Sequence, residues 1–120
     1  MKLPTLTQPY KDGVVKIYRI KNISEDGNMP KDGIELKNTL RYDEKIVGMS
    51  RFWTAKQSQA QIQRLLRVPK INTVSTQDIA VPIDGEQYKI LQIQYPEDVE
   101  PPSMDLSLER LDIDYEIAGS

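Results

Sequence analysis

The chain contains no cysteine and no histidine. Without cysteine there is no disulfide, no thiolate nucleophile and no thiolate metal site. Without histidine the commonest general base and the commonest metal ligand are missing together. Aromatic residues are few: one Trp and one Phe accompany six Tyr. Long apolar runs are missing too, and no stretch approaches the ~18 residues of a membrane-spanning helix. Apolar residues make up 38% of the 120, below the ~45–50% of an average globular domain. The length suits one domain with one modest core. Either much of the chain is loop, or part of its burial is deferred to partners. A net charge of −2 argues against general affinity for nucleic-acid phosphates. The opening MKLPTLTQPYKDG has no apolar h-region, so no secretory signal is expected and the cytoplasm of the producing cell is the expected setting.

What is present concentrates in residues 48–69, GMSRFWTAKQSQAQIQRLLRVP. Phe52, Trp53, Ile62, Leu66 and Val68 are the candidate core, each large side chain stabilising by roughly 1.5–3 kcal/mol when buried. Propensity alone favours one helix capped by Ser50. Its stripe is poor, because Lys56, Gln59 and Gln63 interrupt the step from Phe52 to Leu66. A strand template fits the second half better: Ala60, Ile62, Leu66 and Val68 share a face that only Arg64 breaks. The reading is a short helix at about 50–57 followed by a strand at about 59–68. One long helix is the rival.

Around this stretch the chain reads as strands. Residues 1–12 carry Pro4 and Pro9 and read as an extended arm, either frayed or gripping a neighbour. VVKIYRI, 14–20, is a strand with apolar residues on both faces: Val15 and Ile17 on one, Val14, Tyr18 and Ile20 on the other. Residues 22–33 are turn formers almost throughout and form a long loop, solvated or functional. In residues 34–47, Leu40, Tyr42 and Ile46 alternate, with Glu44 interrupting. IAVPI and EQYKILQIQY flank Asp84-Gly85, which suits a two-residue type I′ hairpin turn. Pro82 places its strand at an edge or a bulge. Residues 96–103 form a stiff acidic loop. In the last strand Met104, Leu106 and Leu108 give way to Leu111, Ile113 and Tyr115, a phase slip that predicts a β-bulge near Glu109-Arg110. The expected fold is mainly β: a small antiparallel β-barrel of five or six strands with one short helix at 50–57 and the loop at 22–33. A single domain is expected, with 13–116 as barrel and 117–120 as a disordered tail.

No catalytic constellation emerges. Asp43-Glu44, Glu97-Asp98 and Asp112/Asp114 are not spaced as a glycosidase pair and read as solvated faces. No Ca²⁺ loop, phosphate loop, dinucleotide fingerprint or nucleophile elbow occurs. No enzyme, cofactor or metal is therefore expected. Arg51, Lys56, Arg64, Arg67 and Lys70 flank Phe52 and Trp53, an arrangement that can stack single-stranded bases. The plainer alternative is an apolar core with a solubilising basic rim.

Taken in order, several pieces resemble one family. VVKIYRI leads to a long loop and LRYDEKIVG. RFWTAKQSQAQ then precedes a strand ending LLRVPK. TQDIAVPIDGEQYKILQIQ supplies a strand, an Asp-Gly-x-x-Tyr-x-Ile hairpin and a return strand, and PPSMDLSLERLD closes the series. Over roughly residues 13–113 this resembles the head-completion, or stopper, proteins that join head to tail in long-tailed bacteriophages. The acidic Pro loop at 96–102 is longer here and bears on the geometry of the last hairpin. The resemblance implies a non-enzymatic structural protein with a small barrel. It would form a homo-oligomeric ring in the virion neck, beneath the portal and adaptor, and close the DNA-filled head. Tail proteins would dock on its other side, and packaged DNA would lie non-specifically in its channel, with no membrane involved. The matching channel-facing loop carries Glu25, Asp26, Gly27, Lys31, Asp32 and Gly33. Its acids would repel DNA, and Gly27 and Gly33 would let it swing. A nucleic-acid-binding barrel and a tail terminator of the same machinery are the alternatives.

Overall fold

A computed structural model describes residues 6–7, 9–22, 31–46, 62–97 and 99–118. The elements in chain order are β1 (Leu6–Thr7), β2 (Gly13–Asn22), β3 (Asp32–Lys45), β4 (Arg64–Pro69), β5 (Ile79–Val81), β6 (Tyr88–Gln94), β7 (Val99–Glu100), β8 (Ser103–Arg110) and β9 (Glu116–Ile117). The fold is mainly β, and there is no helix among the described residues. The helix expected at 50–57 lies outside them. The strand expected at 59–68 appears as β4 and begins at Arg64.

Six strands close on themselves in the order β2-β5-β6-β8-β4-β3, with β3 pairing back onto β2. Every pairing in this ring is antiparallel. Closure leaves few unpaired edges, the usual weakness of small sheets. The interior is filled by alternate side chains, among them Val15, Ile17, Leu40, Leu66, Leu106 and Leu108. Val74 and Ile71, from the connection between β4 and β5, pack against one end of this interior.

Two bulges shape the ring. On β3 an extra residue, Lys37, falls between the pairs Ile17↔Asn38 and Tyr18↔Leu36. Even-numbered residues of β3 therefore face inward at Leu40 and Tyr42 and outward at Ile34 and Leu36. On β6 an extra residue, Leu91, falls between Ile90↔Leu108 and Gln92↔Ser107. It absorbs the phase change that lets both Ile90 and Ile93 pack on the inner cluster. This corrects the bulge expected near Glu109-Arg110. β8 runs unbroken to Arg110 against β6. The apolar slip beyond it marks the chain leaving the ring, where Leu111 and Tyr115 serve a separate outer cluster.

The β5–β6 connection also differs from the expectation. The last β5–β6 pair is Ala80↔Tyr88, so the loop is longer than two residues. Gly85 N–H donates to the Pro82 carbonyl at 3.0 Å. Asp84-Gly85 thus occupies the third and fourth positions of a turn opened by Pro82. Gly85 has φ +81°, which a side chain rarely adopts. Glu86 N–H donates to the Asp84 carboxylate at 2.9 Å, drawing the next residue out of the ladder. Nor is β5 an edge: it lies between β2 and β6 and ends at Val81, one residue before Pro82.

Short pairings hold the first and last described strands, β1 in a two-stranded sheet apart from the ring. β1 pairs in parallel with β7. The Tyr10 hydroxyl hydrogen-bonds Ser103 Oγ at 2.6 Å, so part of the expected arm rests on its own sheet. Gly13 sits opposite Tyr42, and a Cβ there would stand 3.1 Å from the Tyr42 ring. At the other end, β9 pairs in parallel with β3 at Gly33 and Ile34, and Ala118 N–H donates to the Ile34 carbonyl at 2.7 Å. Part of the tail expected to be disordered is therefore a strand.

Candidate interaction surface

The β2–β3 hairpin outruns its neighbours. β5 accompanies β2 only along Lys16–Tyr18, whereas β2 and β3 stay paired to Asn22↔Asp32. The distal half of the hairpin is an arm standing beyond the ring. Its charges are matched: Glu35 accepts from Lys21 Nζ at 2.6 Å and meets Arg19 Nε at 3.2 Å. Lys21, through hydrogen bond and charge, holds the Glu35 carboxyl below its ordinary range. Lys31 pairs with Glu116 of β9.

The candidate loop residues divide accordingly. Glu25, Asp26 and Gly27 lie outside the described residues. Lys31 stands at the far end of the arm, just before β3 begins. Asp32 and Gly33 are strand residues, and Gly33 is held between Lys21 of β2 and Glu116 of β9. The connecting loop is therefore shorter than 22–33, because the ladder continues to Asn22 and Asp32. Among the candidate core residues, Ile62, Leu66 and Val68 are buried, the last two in the ring interior. Phe52 and Trp53 lie outside the described residues.

The basic cluster near β4 is committed to internal partners. Arg64 grips Glu44 with two hydrogen bonds, at 2.6 and 3.0 Å. It also donates to Asp84 at 2.8 Å and lies 5.4 Å from the centre of the Tyr88 ring. The Glu44 hydrogen bond is the main cause that raises the Arg64 pKa, so its charge is fixed. Arg67 makes two hydrogen bonds to Asp105, at 2.7 and 3.0 Å. It stands between Asp105 on β8 and Asp43 on β3 in one row across three strands. Both aspartates are buried, where carboxylates persist only with close partners. Lys70 Nζ lies 5.1 Å from the Tyr95 ring centre. Of the five cations considered for base stacking, Arg64 and Arg67 are thus spent on carboxylates and Lys70 lies beside Tyr95, while Arg51 and Lys56 lie outside the described residues.

In the sequence Glu44 and Arg64 each interrupt an apolar stripe, and they read otherwise as a solvated carboxylate and a member of the basic set, not as a pair. Their opposite signs on what became adjacent strands were the signal that they pair. The row Asp43–Arg67–Asp105 carried no such signal, since all three sit at outward positions where charge is ordinary. Among the described residues no group of three potential ligands is placed to hold a metal ion. No protein-family model matches the chain, and no curated protein matches it in sequence.

Proposed function

We propose that the chain is a structural subunit of a phage head–tail connector. In this reading it is a small antiparallel β-barrel whose copies form a ring in the virion neck, close the DNA-filled head below portal and adaptor, and offer the tail its docking surface. The observation that carries the reading is the arm. A paired hairpin stands beyond the closed strand ring and presents a connection whose sequence holds Glu25 and Asp26. Acidic residues in the sequence of that connection would suit a plug, because like charge keeps DNA back without binding it. The internal commitment of Arg64 and Arg67 supports this reading over the single-strand-binding alternative.

The test is complementation. DNA-filled, tail-less heads made without this chain are mixed with the purified protein and then with tails. Joined particles and restored infectivity are expected. Heads that neither bind the chain nor accept tails would overturn the proposal.

A further inference from the structure

We propose that the segment after β8, residues 111–118, is a brace that fixes the direction of the β2–β3 arm against the strand ring. Releasing it frees the arm while the ring stays closed. The inference rests on contacts within one chain and not on the connector reading.

The arm needs a third support. From Tyr18 to Asn22 and from Asp32 to Leu36 it is a two-stranded ribbon. Such a ribbon is marginal in water without a third strand or an apolar cover. It also leaves the ring at a weak place. β5 accompanies β2 no further than Tyr18, and there the extra residue Lys37 falls between Ile17↔Asn38 and Tyr18↔Leu36. A bulge interrupts the ladder and bends its strand. Lys37 Nζ donates to the Asp78 carboxylate at 2.8 Å, a tie that holds the base of the arm.

The segment 111–118 supplies the missing support, and it grips ring and arm through neighbouring residues. On the ring side, buried Gln87 spends both ends of its amide on one residue. Its Nε2 donates to the Tyr115 carbonyl at 2.9 Å, and its Oε1 accepts from Tyr115 N–H at 2.8 Å. Leu111 N–H donates to the Gln87 carbonyl at 3.0 Å. On the arm side, the next residue, Glu116, already lies opposite Gly33, and Ile117 lies opposite Ile34. Ala118 N–H donates to the Ile34 carbonyl at 2.7 Å, and Glu116 pairs with Lys31 at the far end of the arm. Leu111, Tyr115 and Ile117 pack on a cluster that itself joins the two parts, with Tyr18 and Ile34 from the arm and Ile79 from β5. A tie toward the far end of a lever holds its direction better than one at the base. The exposed Lys31–Glu116 pair adds little, so the backbone bonds and apolar anchors carry the brace. Each grip is small beside the inner core, so each opens at lower cost than the ring. The bulge at Lys37 is then the hinge, a short stretch that absorbs the change of direction.

The native chain has no cysteine, so two nitroxide labels report without background. They are placed at Asp32→Cys on the arm and Lys89→Cys on β6, both exposed positions. Double electron–electron resonance on the full-length chain reads the distribution of distances between them. A single narrow distribution is expected. Glu116→Lys with Ala118→Pro removes the ion pair and the N–H that bonds Ile34, which loosens the arm grip. Gln87→Ala removes the ring grip. Each release should broaden the distribution severalfold and to the same extent, and combining them should add nothing, because a tie is lost when either end lets go. Amide protection at Leu106 should persist in both, as a closed ring requires. A broad distribution before any release, a narrow one after both, broadening from one release alone, or loss of Leu106 protection would each overturn the brace.

Discussion

The molecule has two apolar clusters, and they are held in different ways. The inner one takes thirteen buried residues and draws on all six ring strands. It is enclosed by continuous antiparallel ladders, so opening it requires breaking the ring. The outer one has three buried residues, Tyr18, Ile34 and Ile79. Its lid is the segment from Leu111 to Ile117, held by the short β9–β3 pairing and by side chains. Gln87 Nε2 donates to the Tyr115 carbonyl at 2.9 Å, and Tyr115 N–H donates to Gln87 Oε1 at 2.8 Å. Arg110 donates to Asp114 at 2.9 Å. The inner cluster therefore governs global stability, and the outer cluster is the place where local opening starts.

The sharpest way to break this comparison is Leu106→Ala. Leu106 is fully buried in the ring, and a large-to-small change there costs about 2–5 kcal/mol. The urea midpoint should fall with an unchanged slope. A negligible shift would show that the ring interior is not the centre of stability. Gly13→Ala probes the same cluster by crowding. Its added methyl would stand 3.1 Å from the ring of buried Tyr42, and overpacking of this kind costs about 1–3 kcal/mol. Gly13 also has φ +156°, which a side chain rarely adopts, so a neutral result would mean that both the Tyr42 ring and the backbone at residue 13 can shift.

Tyr115→Ala asks the same of the outer cluster. The side chain is only part-buried, so the loss should be smaller, about 1–2 kcal/mol or roughly half the burial value of a large side chain. The more telling readout is local. Amide exchange at Ile34 and Ala118 should quicken, while exchange at Leu106 keeps the global rate. If all three quicken together, the two clusters are one cooperative unit.

These differences also show what the sequence could convey. Strands and their faces were legible wherever period-two alternation meets one enclosed core, as at Val15/Ile17 and Met104/Leu106/Leu108. The phase slip after Leu108 was legible, but its meaning was not, and the slip inside β6 went unread. The step from Ile90 to Leu91 and Ile93 is a bulge, whereas the step from Leu108 to Leu111 is an exit from the ring. Sequence alone gives the two the same signature, because tertiary packing decides whether the next apolar residue stays in the ladder. The Asp84-Gly85 turn was located correctly and mistyped, since the Asp84 carboxylate and Pro82 lengthen the connection. β9 left no trace in EIAGS, because a two-residue strand is made by its partner and not by its own propensity. For the candidate loop, the ladder to Asn22↔Asp32 could not be foreseen from residues that individually favour turns.

The smallest expected effect lies on the arm, outside both clusters. Glu35 titrates below an ordinary carboxylate because Lys21 and Arg19 face it in the fold. A group with a depressed folded pKa stabilises the fold above its unfolded pKa and loses that contribution as pH falls through the folded value. The arm should therefore be indifferent to pH near neutrality and weaken only in the acid range, and only slightly, since exposed pairs are screened by solvent and salt. Lys21→Gln removes the leading cause, so the Glu35 midpoint, followed by carboxyl NMR, should rise toward the ordinary value. Global stability at neutral pH should hardly move. A Glu35 that already titrates normally in the native chain would mean that the arm is not paired in solution as described, and that the contrast between an anchored ring and a lightly held periphery begins closer to the ring than Asn22 and Asp32.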